Sequence, residues 1–176
     1  MLQKETRIFN PDTGEVYVCQ THPMAAAFHE EKGYLFWARK SFAKSYLDID
    51  YPEDTTMKER GQLATLSKKI WSNTNMLGYR GNGGVRPYNT DQIAEIIRLK
   101  PYQARAFVRK MIKLGIMARV IVETEKQKEI QYYFNPIYFF SNNRIPLNLY
   151  LIFKKQLDKY IEGWVQMEYL KQAKNR

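Results

Sequence analysis

Between Asn89 and Phe140 the spacing of apolar positions changes twice. Ile93, Ala94, Ile96, Ile97 and Leu99 give one broad apolar side to a short helix. Ala104, Phe107, Val108 and Met111 follow at i, i+3, i+4 and i+7, the stripe of a helix with one buried face. From Ile116 to Val122 the pattern switches to alternation, with Arg119 on the polar side, and Ile130–Phe134 returns as a second strand. The predicted order is helix, tight turn, helix, hairpin. Asn89 or Thr90 supplies the first N-cap, and with Asn89 as the cap Gln92 falls at the capping-box position. Pro101 stops one helix and suits the first turn of the next. Gly115 suits the residue just past the end of the second helix, near Leu114.

The remaining elements are read the same way. Leu63, Leu66 and Ile70 stripe a helix from Met57 to about Trp71, capped by Thr55 or Thr56, with Lys68 and Lys69 facing outward. Near the N-terminus, Ile8 and Phe9 precede the turn residues Asn10–Gly14, and Val16 and Val18 alternate after it, which predicts a hairpin. Met24 to Leu47 is helix-compatible apart from Gly33 and rich in aromatics. Gly78–Gly84 reads as a loop or short hairpin. Leu147, Tyr150, Leu151, Leu157 and Ile161 suit one helix face, although Leu147–Phe153 also reads as a strand. The expected fold is α+β, mainly helical: a winged helix-turn-helix with an N-terminal hairpin and a C-terminal helical extension. The expected regions are 1–54, 55–140 and 141–176, the last a candidate dimerisation element through Leu147, Leu151, Leu157 and Ile161.

Charge narrows the class of partner. The chain of 176 residues carries a formal charge of +10. Residues 1–60 hold eight Lys/Arg against ten Asp/Glu, residues 61–120 eleven against two, and residues 121–176 nine against six. A solvated charged surface spreads its charge; a basic middle third is the footprint of a polyanion partner. It coincides with the second predicted helix of the pair, whose outward side carries Tyr102, Gln103, Arg105, Ala106, Arg109, Lys110 and Lys113. The first four lie at the N-terminal end, where a recognition helix places its base-reading groups. Arg suits bidentate contact with guanine and Gln with adenine, while Ala permits close approach or touches a thymine methyl. Arg109, Lys110 and Lys113 read as phosphate contacts, which add affinity without sequence information. Arg80, Arg86, Lys68 and Lys69 extend that reading, and Lys126 and Lys128 offer the hairpin tip to the backbone. Three Glu at the tip (Glu123, Glu125 and Glu129) nearly cancel those two lysines.

Catalytic and cofactor chemistry find little support. Cys19, His22 and His29 form a C-x2-H-x6-H spacing with three ligands, which matches no zinc pattern. Asp48, Asp50, Glu53 and Asp54 could gather a divalent ion, but such a cluster is more often a solvated loop. The Gly-rich segment lacks the spacing of a phosphate-binding loop. The expectation is no enzyme activity, no cofactor and no metal. The aromatic run Tyr132, Tyr133, Phe134, Tyr138, Phe139 and Phe140 could stack single-stranded bases, and reads better as core. No apolar run is long enough for a membrane span, no signal core is visible at the N-terminus, and one cysteine excludes an intrachain disulfide, so a cytoplasmic protein is expected.

Four short motifs carry a family resemblance: D-T-G-E at Asp12–Glu15, F-A-K-S-Y at Phe42–Tyr46, N-T-D-Q-I-A at Asn89–Ala94 and F-N-P at Phe134–Pro136. Across most of residues 7–140 the chain resembles the winged-helix replication proteins of small Firmicute plasmids and related phage proteins. The Gly78–Gly84 segment and the long aromatic C-terminal extension depart from that pattern. The resemblance implies a cytoplasmic protein that binds an origin on its own replicon. The favoured partner is double-stranded DNA, for replication initiation or transcriptional control. The alternatives are RNA, or a protein-interaction module that recruits replication or transcription machinery.

Overall fold

The computed structural model describes residues 3–9, 13, 16–23, 28–29, 33–34, 43–71, 74–123, 128–142 and 144–174, with backbone alone in the strands before residue 43. The chain is α+β and divides into two compact units, Met1–Lys40 and Ser41–Arg176. The first unit contains strand β1 (Gln3–Phe9) paired antiparallel with β2 (Val16–Pro23), in a register that sets Ile8 opposite Val18. This is the expected hairpin. Two further short strands, β3 (Phe28–His29) and β4 (Gly33–Tyr34), pair with Phe28 opposite Tyr34. The interruption expected near Gly33 is thus a strand pair, and residues 24–27, 30–32 and 35–42 of the helix-compatible region lie outside the described residues. Gly33 disfavours helix, and aromatic residues fit a pleated surface.

The boundary expected at residue 54 moves back to 40/41, because the segment after it packs on the second unit. Lys44 and Phe140 exchange both backbone hydrogen bonds (2.8 and 2.9 Å). The Tyr51 ring stacks on Tyr138 at 5.3 Å, nearly parallel. Burial pushes the Tyr51 phenol up to about 12, against the opposing pull of the Arg60 guanidinium above its ring.

The second unit begins with helix α1 (Met57–Ser67), closed at its start by a capping box between Thr56 and Glu59. Leu63 and Leu66 are fully buried, as their spacing predicts. Hairpin β5 (Gly78–Gly81) and β6 (Gly84–Pro87) follows, turning at Asn82 and Gly83, and Gly83 and Gly84 take φ values of 89° and 132° that favour glycine. The Gly-rich segment is thus a hairpin rather than a loose loop. Helix α2 (Thr90–Ile96) starts at the predicted Asn89–Gln92 capping box. Helix α3 (Pro101–Lys113) buries Ala104, Phe107, Val108 and Met111, the predicted stripe. Strands β7 (Met117–Glu123) and β8 (Lys128–Phe134) form the antiparallel hairpin, with Met117 opposite Phe134.

Both helices of the central pair end in the same hydrogen-bonded closure. At the end of α3, Gly115 N–H donates to Ile112 O and Ile116 N–H to Met111 O, with Gly115 at φ 72°. At the end of α2, Arg98 N–H donates to Glu95 O and Leu99 N–H to Ala94 O, with Arg98 at φ 53°. An arginine thus holds the left-handed position that glycine holds after α3.

A short stretch before β5 joins the β7–β8 hairpin. Leu77 N–H donates to Tyr132 O (2.8 Å) and Phe134 N–H to Asn75 O (2.9 Å), placing β8 between this segment and β7. Asn75 is fully buried at φ 58°. Its amide donates to Phe134 O and Phe139 O, and its side-chain oxygen accepts from Ser141 N–H and Oγ–H. The aromatics Tyr132, Tyr133, Phe134, Tyr138 and Phe140 are buried and Phe139 is half-buried, so this run is core rather than a base-stacking platform.

Beyond residue 140 the chain forms α4 (Leu147–Ile152), α5 (Lys154–Leu157) and α6 (Gly163–Lys174). The Leu147–Phe153 run is helical, and the single helix face expected here is split at Phe153, whose φ of −114° leaves helical geometry. Of the residues expected to seek a partner surface, Leu147 and Leu157 are buried within the unit and Ile161 packs against its core; only Leu151 is exposed. A single apolar stripe cannot show from sequence alone whether its cover comes from the same chain.

Candidate nucleic-acid interface

Helix α3 turns its buried stripe to α2 and β7 and leaves the other side open. Tyr102, Gln103, Arg105, Ala106, Arg109 and Lys113 are all exposed, Tyr102 at 65%. Internal contacts of these side chains are light. Gln103 Oε1 accepts from Lys100 N–H at 3.3 Å, closing the start of the helix. Arg105 reaches Asp91 at 3.7 Å with both side chains more than 60% exposed, an ion pair worth little in water. Arg109 Nε donates to Arg105 O at 3.3 Å.

Lys110 differs from its neighbours. Its Nζ donates to both carboxylate oxygens of Glu59, at 2.8 Å each. Glu59 also accepts from Thr56 N–H and Thr56 Oγ–H, and its side chain is only 16% exposed. Burial pushes the Glu59 carboxyl up, but the hydrogen bonds from Lys110 and Thr56 outweigh it and hold the group below its ordinary range. Stability from this carboxylate is present above its unfolded value and is lost as pH falls through the lowered folded one. Around the pair, Thr56, Lys58 and Gln62 of the α1 end face Leu99, Tyr102, Gln103 and Ala106 across a cleft of about 380 Å³.

The other expected contacts lie on different elements. Lys68 and Lys69 are exposed at the C-terminal end of α1, roughly 13 Å along the axis from Glu59 at 1.5 Å per residue. Lys69 O accepts from Gly78 N–H at 3.1 Å, so these lysines adjoin the β5–β6 hairpin. Arg80 and Arg86 are exposed on that hairpin, and Arg86 lies across Gly81, where an added Cβ would come within 2.8 Å of its Cδ. Lys128 begins β8, exposed and paired with Glu123 at 2.6 Å. Lys126 lies outside the described residues.

Two cations beside α3 escape a reading by helical face. Arg98 and Lys100 are exposed in the turn that leads into it. Their closeness to Pro101 was the available signal; a turn assignment alone hides it. Asp48, Asp50, Glu53 and Asp54 are exposed, and among the described residues no group of three or more His, Cys, Asp or Glu side chains could hold a metal ion. Cys19, His22 and His29 lie on β2 and β3, with side chains outside the described set. Among the described residues no helix is long and apolar enough to cross a membrane. No protein-family model, curated protein or solved structure matches the chain.

Proposed function

We propose that this chain is a winged-helix protein that binds double-stranded DNA without catalysis, with α3 in the major groove and the β7–β8 hairpin as a supporting contact. The observation that carries the reading is the division of α3. One face is committed to the core, and the other presents Tyr102, Gln103, Arg105, Ala106, Arg109 and Lys113 to solvent in the most basic third of the chain. The element order supports it: a helix, a short bridging stretch at residues 75–77 with the β5–β6 hairpin after it, two helices across a tight turn, then the β7–β8 hairpin paired with that stretch. In this reading Arg105, Gln103 and Tyr102 face base edges, while Arg109 and Lys113 meet phosphates. In this reading it acts in the cytoplasm, on the origin or promoter of a mobile element, as the sequence resemblance to plasmid and phage replication proteins implies. Leu151, Tyr160, Trp164 and Met167 are each exposed and are the apolar candidates for contact in self-association or with a replication or transcription partner.

Titrating salt against binding to a random duplex tests this directly. Each phosphate contact contributes about 0.9 to the slope of log affinity against log salt, so affinity falls steeply. Arg105→Ala loses about 1–3 kcal/mol on a preferred sequence and little on random duplex, the signature of base reading. Lys113→Ala weakens both alike and lowers the slope by about 0.9. Negligible binding to any duplex at low salt rejects the reading.

A further inference from the structure

The Glu59–Lys110 pair divides the cations of α3 into two kinds. Arg105, Arg109 and Lys113 project from exposed positions, whereas Lys110 is turned back onto a carboxylate that belongs to another helix. That carboxylate is itself fixed. Glu59 is the third residue of α1 and closes its capping box, accepting Thr56 N–H at 2.8 Å and Thr56 Oγ–H at 2.9 Å. One side chain therefore caps α1 and grips α3, and it does so on the wall of the cleft that Tyr102, Gln103 and Ala106 also line.

We propose that Glu59 is a positioning residue for the DNA-reading face: it withholds Lys110 from phosphate and fixes the roll of α3 against α1. The argument rests on the DNA-binding reading above and corrects one of its expected contacts. A helix that packs by one apolar stripe can rotate by a few degrees at small cost. Every base-reading side chain moves with that rotation. The stripe of Ala104, Phe107, Val108 and Met111 sets the depth of α3. The bidentate contact from Lys110 to an immobile carboxylate sets its rotation, because Lys110 sits at the flank of the stripe. Neutralising Lys110 internally also removes one sequence-independent contact. The face then relies more on Arg105 and Gln103, which distinguish bases.

The test uses the full chain, a random-sequence duplex and a duplex enriched by repeated selection with the wild-type protein. Glu59→Gln keeps a cap acceptor for Thr56 N–H but removes the charge that holds Lys110. It is expected to bind random duplex roughly eightfold more tightly at 0.1 M salt, with a slope steeper by about 0.9, the counterion release of one added phosphate contact. Its preference for the selected duplex falls. Lys110→Ala leaves the wild-type slope on random duplex unchanged, and it carries the test should Glu59→Gln fail to fold. A purely structural role for the pair would move the melting temperature and leave the salt slope alone. If Lys110→Ala lowers the slope by about 0.9, Lys110 is a phosphate ligand and the proposal is overturned while DNA binding stands. If the wild-type chain binds neither duplex, the underlying reading fails and the proposal with it.

Discussion

Asn75 shows how one side chain can bind a stretch of chain that sequence keeps 59 to 66 residues away. It bonds to Phe134 O at 3.0 Å, Phe139 O at 2.7 Å and both donors of Ser141 at 3.1 Å, and nothing of it reaches solvent. A buried polar group left without its partner costs about 1–3 kcal/mol. Asn75→Ala strands two carbonyls and one backbone N–H, and it also forces alanine into the left-handed region, at about 1 kcal/mol. The expected loss is about 3–5 kcal/mol in urea unfolding, a large part of the stability of a domain this size. Asn75→Gly loses the same bonds without the left-handed cost, so it unfolds at a higher urea concentration than Asn75→Ala. A loss below about 1 kcal/mol for Asn75→Ala would show that the clip holds nothing.

At the scale of elements, the ends of α3 are fixed by local chemistry, and one end can be broken cleanly. Gly115 takes φ 72°, and a Cβ there would come within 2.6 Å of Gln156 Nε2 on α5. Gly115→Ala is expected to cost about 1–2 kcal/mol from the left-handed conformation, with part of the crowding relieved by movement of the glutamine. Thermal unfolding reads it, and an unchanged melting temperature would refute the closure described after α3. Elements of this kind were legible in the sequence because their signals are short-range. The Asn89–Gln92 capping box, the stripe Ala104–Met111 and the stop at Gly115 each need only a few neighbouring residues. The α2–α3 turn was legible from Pro101, but its left-handed Arg98 was not, since arginine carries no bias toward that conformation. The candidate face was legible as a set of outward cations on α3. What stayed hidden was which of them is free: Lys110 finds Glu59 across 51 residues, and no helical periodicity reports a partner on another helix. The C-terminal helices were hidden for the same reason, because an apolar stripe does not say whether its cover is the chain's own core or a second molecule.

For the whole molecule, that last distinction decides what the C-terminal region is. Leu149, Tyr150, Phe153 and Leu157 are at most 1% exposed, inside the core that also holds α1, α3 and β8. Burying a large apolar side chain stabilises by about 1.5–3 kcal/mol, so these four together contribute about 6–12 kcal/mol. That equals the whole stability of a typical domain. A chain ended after Phe140 is therefore expected not to fold, and residues 141–157 are part of the central unit rather than an appendage. Helix α6 is a different case, since none of its residues is buried. Its anchors are Tyr169, which stacks on Tyr150 at 4.1 Å and donates to Ile145 O at 2.7 Å, and Gln166, whose Nε2 donates to Asp158 O at 3.0 Å and Ile161 O at 2.7 Å. Those contacts are worth about 2–4 kcal/mol together. A chain ended after Glu162 should keep its cooperative transition, lose about 2–4 kcal/mol and retain the α3 face intact. It also loses Trp164 and Met167, half of the exposed apolar residues named for self-association. Sedimentation and DNA titration of this shortened chain separate the two roles. Undiminished binding to random duplex with loss of any oligomer would assign α6 to assembly. If the shortened chain loses its cooperative transition instead, α6 belongs to the folding core and the division drawn at Glu162 is wrong.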